Sequence, residues 1–259
     1  MQRLIAALVS LALLTQPGFA ASGKQPAPPG SFPGAPPEFT KFSVSELSRG
    51  FLALAFGSDL LIGKRPKGIR RFDHPIVARV IPGGSVDRVA AMTRIIEEYA
   101  AKVPDLKLRA ASDATADIEV RMIDEKDFRS ALEAAFGARV ARTFVKRTDP
   151  QCMTSVKSNA AGEIVHSVTF VIVDKGDDVF LDCAYHELLH AFGLSSHDQH
   201  NAWTTLNQNR IVGYLTVYDR ALLTILYDPR MRPGMTPAQV RRILPMIIKE
   251  RGLISTGEK

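Results

Sequence analysis

Short apolar runs of strand type alternate with capped stretches of helix type along most of the chain. The strand-type runs are Pro75 to Ile81, Lys107 to Ala110, Ile118 to Met122, Met153 to Lys157 and Ser167 to Val173. The last is richest in Val, Ile and Phe and is the strongest of them. The helices are announced by their ends. Ser43 and Glu46 have the spacing of a capping box ahead of Leu47 to Phe56. Ser85 is placed to cap a helix that runs to Lys102 and is ended by Pro104. Asp124 is placed to cap Glu125 to Phe136, with Gly137 as the stop. Thr236, Pro237 and Gln239 supply cap, first helical residue and box partner for a helix ending near Gly252. Strands and helices in this order predict an α/β or α+β domain with a mixed β-sheet.

The pattern fails at the N-terminus. Gln25 to Glu38 holds six prolines in fourteen residues, too many for helix or sheet. Residues 21–40 therefore read as an extended linker. No second linker and no internal repeat follows, so residues 41–259 read as one domain. Before the linker, Arg3 precedes the apolar run Leu4 to Leu14, and Gly18-Phe19-Ala20 offers small residues for cleavage. This is the layout of a secretory signal peptide over residues 1–20. The run is too short to span a bilayer. The expectation is a periplasmic or secreted protein without a stable membrane anchor.

The composition is that of a globular protein, 46% hydrophobic and 23% charged. The net charge of +6 is spread along the chain, with the densest cluster at Lys64 to Arg71. A solvated basic face explains this better than a phosphate-binding patch, and no nucleic-acid partner is expected. The two cysteines, Cys152 and Cys183, read as a disulfide in an oxidising compartment. The rival reading gives Cys183, one helical turn before His186, to a metal site.

The chemistry concentrates near residue 190. Four of the six histidines lie between positions 186 and 200. Asp182 to Phe192 reads as a helix, which puts His186 and His190 on one face, four residues apart. Two neutral imidazoles so spaced can hold one zinc ion. Glu187 stands beside them, where a carboxylate can take the proton of a zinc-bound water. Ala184, Tyr185, Leu188 and Phe192 would bury the other side of the helix. Gly193 is placed to end it and turn the chain back. The third ligand then comes from Ser196-His197-Asp198-Gln199-His200. His197 is favoured, with Asp198 and His200 as alternatives.

His186, Glu187, His190 and Gly193 resemble the metzincin zinc peptidases, whose pattern is H-E-x-x-H-x-x-G-x-x-H. In that pattern the third ligand falls at position 196, which here is Ser196, so His197 comes one residue late. Metzincins also place a methionine beneath the metal, for which Met231 and Met235 are candidates, although ordinary packing explains either. A gluzincin needs a later Glu ligand, and only Glu250 and Glu258 follow Glu187. Tyr214, Tyr218 and Tyr227 are oxyanion candidates that core packing explains better.

Across residues 42 to 250 the chain also resembles an uncharacterised bacterial exported family, domain of unknown function 2927. The resemblance is carried by Phe51 to Phe56, Arg71-Phe72-Asp73-His74-Pro75-Ile76, the two cysteines, and Leu226-Tyr227-Asp228-Pro229 through Pro233-Gly234-Met235. It favours a structural Cys152–Cys183 disulfide tying a strand or loop to the start of the zinc helix. It brings no activity with it.

Together these readings predict a zincin-like α+β domain with a mixed sheet, Zn2+ as cofactor, and His186, His190 and His197 as ligands. Glu187 is the expected general base of a monomeric metallopeptidase acting on peptide or protein substrates. The Ser167–Val173 strand is the expected place for an extended peptide to pair. The competing reading is a non-catalytic exported envelope-binding module that keeps the fold.

Overall fold

The computed structural model describes residues 24–28, 31–57, 66–112, 115–148 and 151–254. The signal-peptide segment, residues 1–20, lies outside them, as do Lys64 and Arg65 of the basic cluster. The described chain is a mixed α+β structure with a five-stranded mixed sheet and seven helices.

The sheet contains β3 (Ile76–Ile81), β4 (Leu108–Ala110), β5 (Ile118–Ile123), β6 (Cys152–Ser158) and β7 (Ile164–Ile172) in the order β4-β3-β5-β7-β6. All neighbours are parallel except β6, which runs antiparallel to β7. Each predicted strand is present, with ends shifted by at most three residues. Position in the sheet corrects one expectation. β7 is hydrogen-bonded to β5 on one side and β6 on the other, so it has no free edge for an added peptide. The edge strand on that side is β6.

The helices are α1 (Val44–Phe56), α2 (Val89–Lys102), α3 (Glu125–Phe136), α4 (Ala138–Thr148), α5 (Asp177–Phe192), α6 (Val217–Tyr227) and α7 (Pro237–Glu250). The capping boxes of α1 (Ser43 with Glu46) and α7 (Thr236 with Gln239) form as the sequence predicts. Ser85 does not cap α2, which begins at Val89. Its amide and hydroxyl both donate to Asp124 Oδ1. That occupies the Asp124 carboxylate, and Asp174 instead accepts from the Glu125 amide at the start of α3. Two helices are unanticipated. α4 follows Gly137 at once, and α6 is capped by Thr216, whose hydroxyl accepts from the Asp219 amide. α5 starts five residues earlier than predicted.

Preceding the domain, β1 (Lys24–Gln25) pairs with β2 (Glu38–Phe39), so Gln25 and Glu38 do adopt strand pairing. Between these ends the described residues, 26–28 and 31–37, form no helix or strand, as their prolines require. The segment is laid against the domain. Phe39 stacks on Trp203, the Tyr214 hydroxyl donates to the Pro36 carbonyl, and the Val217 amide donates to Glu38.

The resemblance-bearing segments meet inside the domain. The buried Arg71 guanidinium donates through Nη1 to the carbonyls of Leu226, Asp228 and Met231, and it lies over the Tyr227 ring. Burial lowers its pKa, and the three carbonyls replace the lost water. Asp228 in turn holds Arg230 and Arg251. These contacts fix the turn between α6 and α7 against the strand entering the sheet.

No helix among the described residues is long and apolar enough to cross a membrane. Cys152 and Cys183 form a disulfide joining β6 to α5, with Cα atoms 5.8 Å apart. Such a bond fits an exported protein. It also removes Cys183 from the metal-ligand candidates.

Candidate metal centre

The site is built on α5, which ten buried residues of its sixteen sink into the core. The helix is lashed in place by hydroxyls from four directions. Tyr99 donates to the Tyr185 carbonyl, Thr154 of β6 to that of Glu187, Ser167 of β7 to that of Ala191, and Tyr227 to that of Phe192. Tyr227 is therefore a brace for α5, and the Tyr214 hydroxyl is occupied by Pro36. Tyr218 is buried, its ring edge-on to Phe42 and its hydroxyl pressed against the place a Cβ at Gly50 would take.

His186 and His190 leave the same face of α5, as their spacing requires. Gly193 ends the helix at φ 121°, a conformation that disfavours side chains. A Cβ there would stand 2.1 Å from the Arg70 carbonyl oxygen. The next residues dock on α1: the amides of Ser195 and Ser196 both donate to the Leu54 carbonyl. Ser196, the position of the third ligand in the resembled pattern, is spent on this contact. His197 is the first side chain after it that turns back to the pair.

The three Nε2 atoms form a triangle with sides of 3.1, 3.1 and 3.1 Å. A four-coordinate ion with nitrogens at 2.0–2.1 Å sets them about 3.3–3.4 Å apart. The triangle fits such an ion with almost no adjustment. Among the described residues these are the only three His, Cys, Asp or Glu side chains close enough to hold a metal. Asp198 and His200 are left out. The Asp198 carboxylate accepts from the His200 amide instead, and His200 is exposed.

Proton placement points the same way. His186 Nδ1 lies 2.8 Å from the Thr205 carbonyl, and His190 Nδ1 lies 2.6 Å from the Leu194 carbonyl. A carbonyl can only accept, so each Nδ1 carries the proton and each neutral ring turns a bare lone pair inward from Nε2. Burial holds the His186 pKa well below its usual value, and the facing His190 and His197 add to the effect. Burial likewise lowers His197 to about 3, with His190 contributing. Facing lone pairs repel, and a cation among them removes the repulsion.

Glu187 is the next residue on α5. Its side chain is buried, and Oε2 has no hydrogen-bond partner among the described residues. Burial pushes its pKa up to about 8, with Asp182 adding and Thr154 opposing. A carboxylate kept dry and unsatisfied is common where proton transfer is needed and costly elsewhere. Met231 is fully buried in the turn after α6, and the Met235 sulfur accepts from the Arg232 amide.

Sequence reasoning missed Thr205, whose carbonyl orients His186, and Asp219, whose buried carboxylate accepts from the Thr205 amide. The spacing of Thr216 and Asp219 is a helix-start signature that could have exposed the latter. Nothing local marks Thr205.

Fold and site together define an α+β protein in which two histidines of a buried helix and one from the loop after it stand close enough to hold a metal ion. The chain belongs to the family described as protein of unknown function (DUF2927), whose profile matches residues 44–246 and so spans α1 through most of α7. A comparison with curated proteins finds none that matches.

Proposed function

We propose that this protein is an exported zinc-dependent peptidase of metzincin-like design. One observation carries the reading: three inward-facing imidazole nitrogens stand 3.1 Å apart, and the helix residue after His186 is a buried glutamate with an unsatisfied oxygen. His186, His190 and His197 would hold the ion and leave a fourth position open, as catalytic zinc requires. When bound, zinc supplies Lewis acidity toward water and a peptide carbonyl. The charge of a bound cation would lower the raised Glu187 pKa and keep the group ionised, and Glu187 would then take the proton of the attacking water and pass it to the leaving amine. The register difference from metzincins is absorbed by Ser195 and Ser196 docking on Leu54.

A peptide substrate would add to β6, the edge strand, in place of the already paired β7. β6 touches α5 at the Glu187 turn through Thr154, and the disulfide keeps strand and helix together. Residues 1–20 as a signal peptide, together with the disulfide, support export.

The test is cleavage of a peptide library by zinc-loaded protein, with and without a chelator. Chelator-sensitive cleavage is the expected result. A zinc-loaded protein that leaves the library intact would instead support a non-catalytic binding module.

A further inference from the structure

Two of the three metal-facing histidines hang on one short piece of the loop between α5 and α6. His186 Nδ1 donates to the Thr205 carbonyl at 2.8 Å. The amide of Asp198, which belongs to the same peptide unit as the His197 carbonyl, donates to the Leu206 carbonyl at 3.1 Å. Thr204–Leu206 has no helix or strand to fix it. It is fixed by Asp219, on the first turn of α6. Asp219 Oδ1 accepts from the Thr204 hydroxyl, and Oδ2 accepts from the Thr205 amide at 2.9 Å and the Thr216 hydroxyl at 2.8 Å.

Asp219 is fully buried. A helix cap alone does not account for it, because the Thr216 hydroxyl already caps the Asp219 amide. Two of its three side-chain bonds reach fourteen and fifteen residues back, into the ligand-bearing loop. The connection to His186 is also unbroken. The Leu206 amide donates to the Thr204 oxygen at 3.1 Å, and that amide shares a peptide unit with the Thr205 carbonyl. Carboxylate, hydroxyl, peptide group and imidazole thus form one line of hydrogen bonds. Each bond in such a line polarises the next and draws charge toward the ring's inner nitrogen. Carboxylates that back metal-ligating histidines directly act in the same way.

We propose that Asp219 is the positioning residue of the metal centre, orienting His186 and strengthening its inner nitrogen as a donor through Thr204–Leu206, and fixing His197 through the same segment. The inference rests on the metal-binding reading of the three histidines and adds a fourth residue that never touches the ion.

The experiment measures zinc affinity by chelator competition in wild type, Asp219→Asn, Thr204→Val and Thr204→Ser, each checked for folding by circular dichroism without metal. Asp219→Asn turns an acceptor into a donor, and about 10–100-fold weaker zinc binding is expected. Thr204→Val removes only the hydroxyl from the line, leaving Asp219 bonded to the Thr205 amide and to Thr216. It should weaken zinc in the same direction, and Thr204→Ser should restore it. A purely structural residue would lower the melting temperature and leave the affinity of the folded protein unchanged. If Asp219→Asn does not fold, the Val and Ser pair at position 204 decides. Folded variants that bind zinc as tightly as wild type overturn this proposal alone. A wild-type protein that binds no zinc overturns the metal reading and this proposal together.

Discussion

His197 Nε2 stands 3.1 Å from His186 Nε2, although the two side chains come from a helix and from an irregular loop beyond its end. The helix is held by hydroxyls from the sheet, from α2 and from α6, and the loop is held by Leu54 and Asp219. Independent supports converge on one point. A rigid approach of this kind is what a metal centre needs and what a core histidine pair does not.

Glu187→Gln separates chemistry from binding. On the proposed peptidase reading, this change should reduce hydrolysis by about 10²–10⁴-fold while zinc content stays at the wild-type level. The same variant should be more stable without metal. Burial raises the Glu187 pKa from 4.5 to about 8, so stability is full below pH 4.5, falls as pH rises from 4.5 to 8 and levels off above that. The melting-temperature advantage of the variant should therefore grow from pH 5 to pH 8 and then level off. A difference independent of pH would contradict the burial of this carboxylate.

The imidazoles should resist protonation. His186 and His197 are both depressed from 6.5, the latter to about 3. Their ring resonances in metal-free protein should not titrate between pH 8 and pH 5. By linkage, each contributes stability that is fully present above pH 6.5 and is lost as pH falls, by up to about 1.4 kcal/mol per pH unit. Asp182 and Asp219, raised to about 6 by burial, act in the opposite sense between 3.8 and 6 and offset this in that window. A midpoint near 6.5 for either histidine would show that the cluster is not buried in solution.

Gly193→Ala tests the turn that sends the chain back to the site. The alanine would have to adopt φ 121° and place a methyl against the Arg70 carbonyl. A loss of about 1–3 kcal/mol is expected from the backbone alone. Zinc affinity should fall with it, because Leu194, the partner of His190 Nδ1, follows directly. Wild-type stability and affinity together would show that the turn is softer than this contact implies.

Reduction of Cys152–Cys183, which spans 31 residues, should cost about 3–4 kcal/mol on the loop-entropy scale. Thermal unfolding of wild type and Cys152→Ser, with and without reductant, checks this. Sensitivity to reductant in wild type but not in the variant is the expected pattern.

What could be read from the sequence was what is encoded locally. The caps of α1 and α7, the shared face of His186 and His190, and the stop at Gly193 each depend on residues within a few positions. The disulfide was readable from compartment logic. Long-range choices were not readable. Ser85 looked like a cap, but Asp124 from another element claimed it. The Ser167–Val173 strand looked available until the sheet order placed β6 beside it. The register of His197 depends on the carbonyl of Leu54, far away in sequence, and no local pattern reports that bond. α4 escaped because Gly137 does end α3, at φ 84°, and no local cap signal announces that a second helix starts at the next residue.

Metal analysis of the purified, disulfide-bonded protein, for wild type, His197→Ala and His200→Ala, tests the three-histidine centre most directly. One zinc per chain is expected in wild type and in His200→Ala. His197→Ala should hold zinc roughly 10²–10³-fold more weakly, a third of the binding energy having gone with its ligand, and should emerge substoichiometric. A wild-type protein without zinc, or a His197→Ala variant with its full complement, would contradict the centre described above.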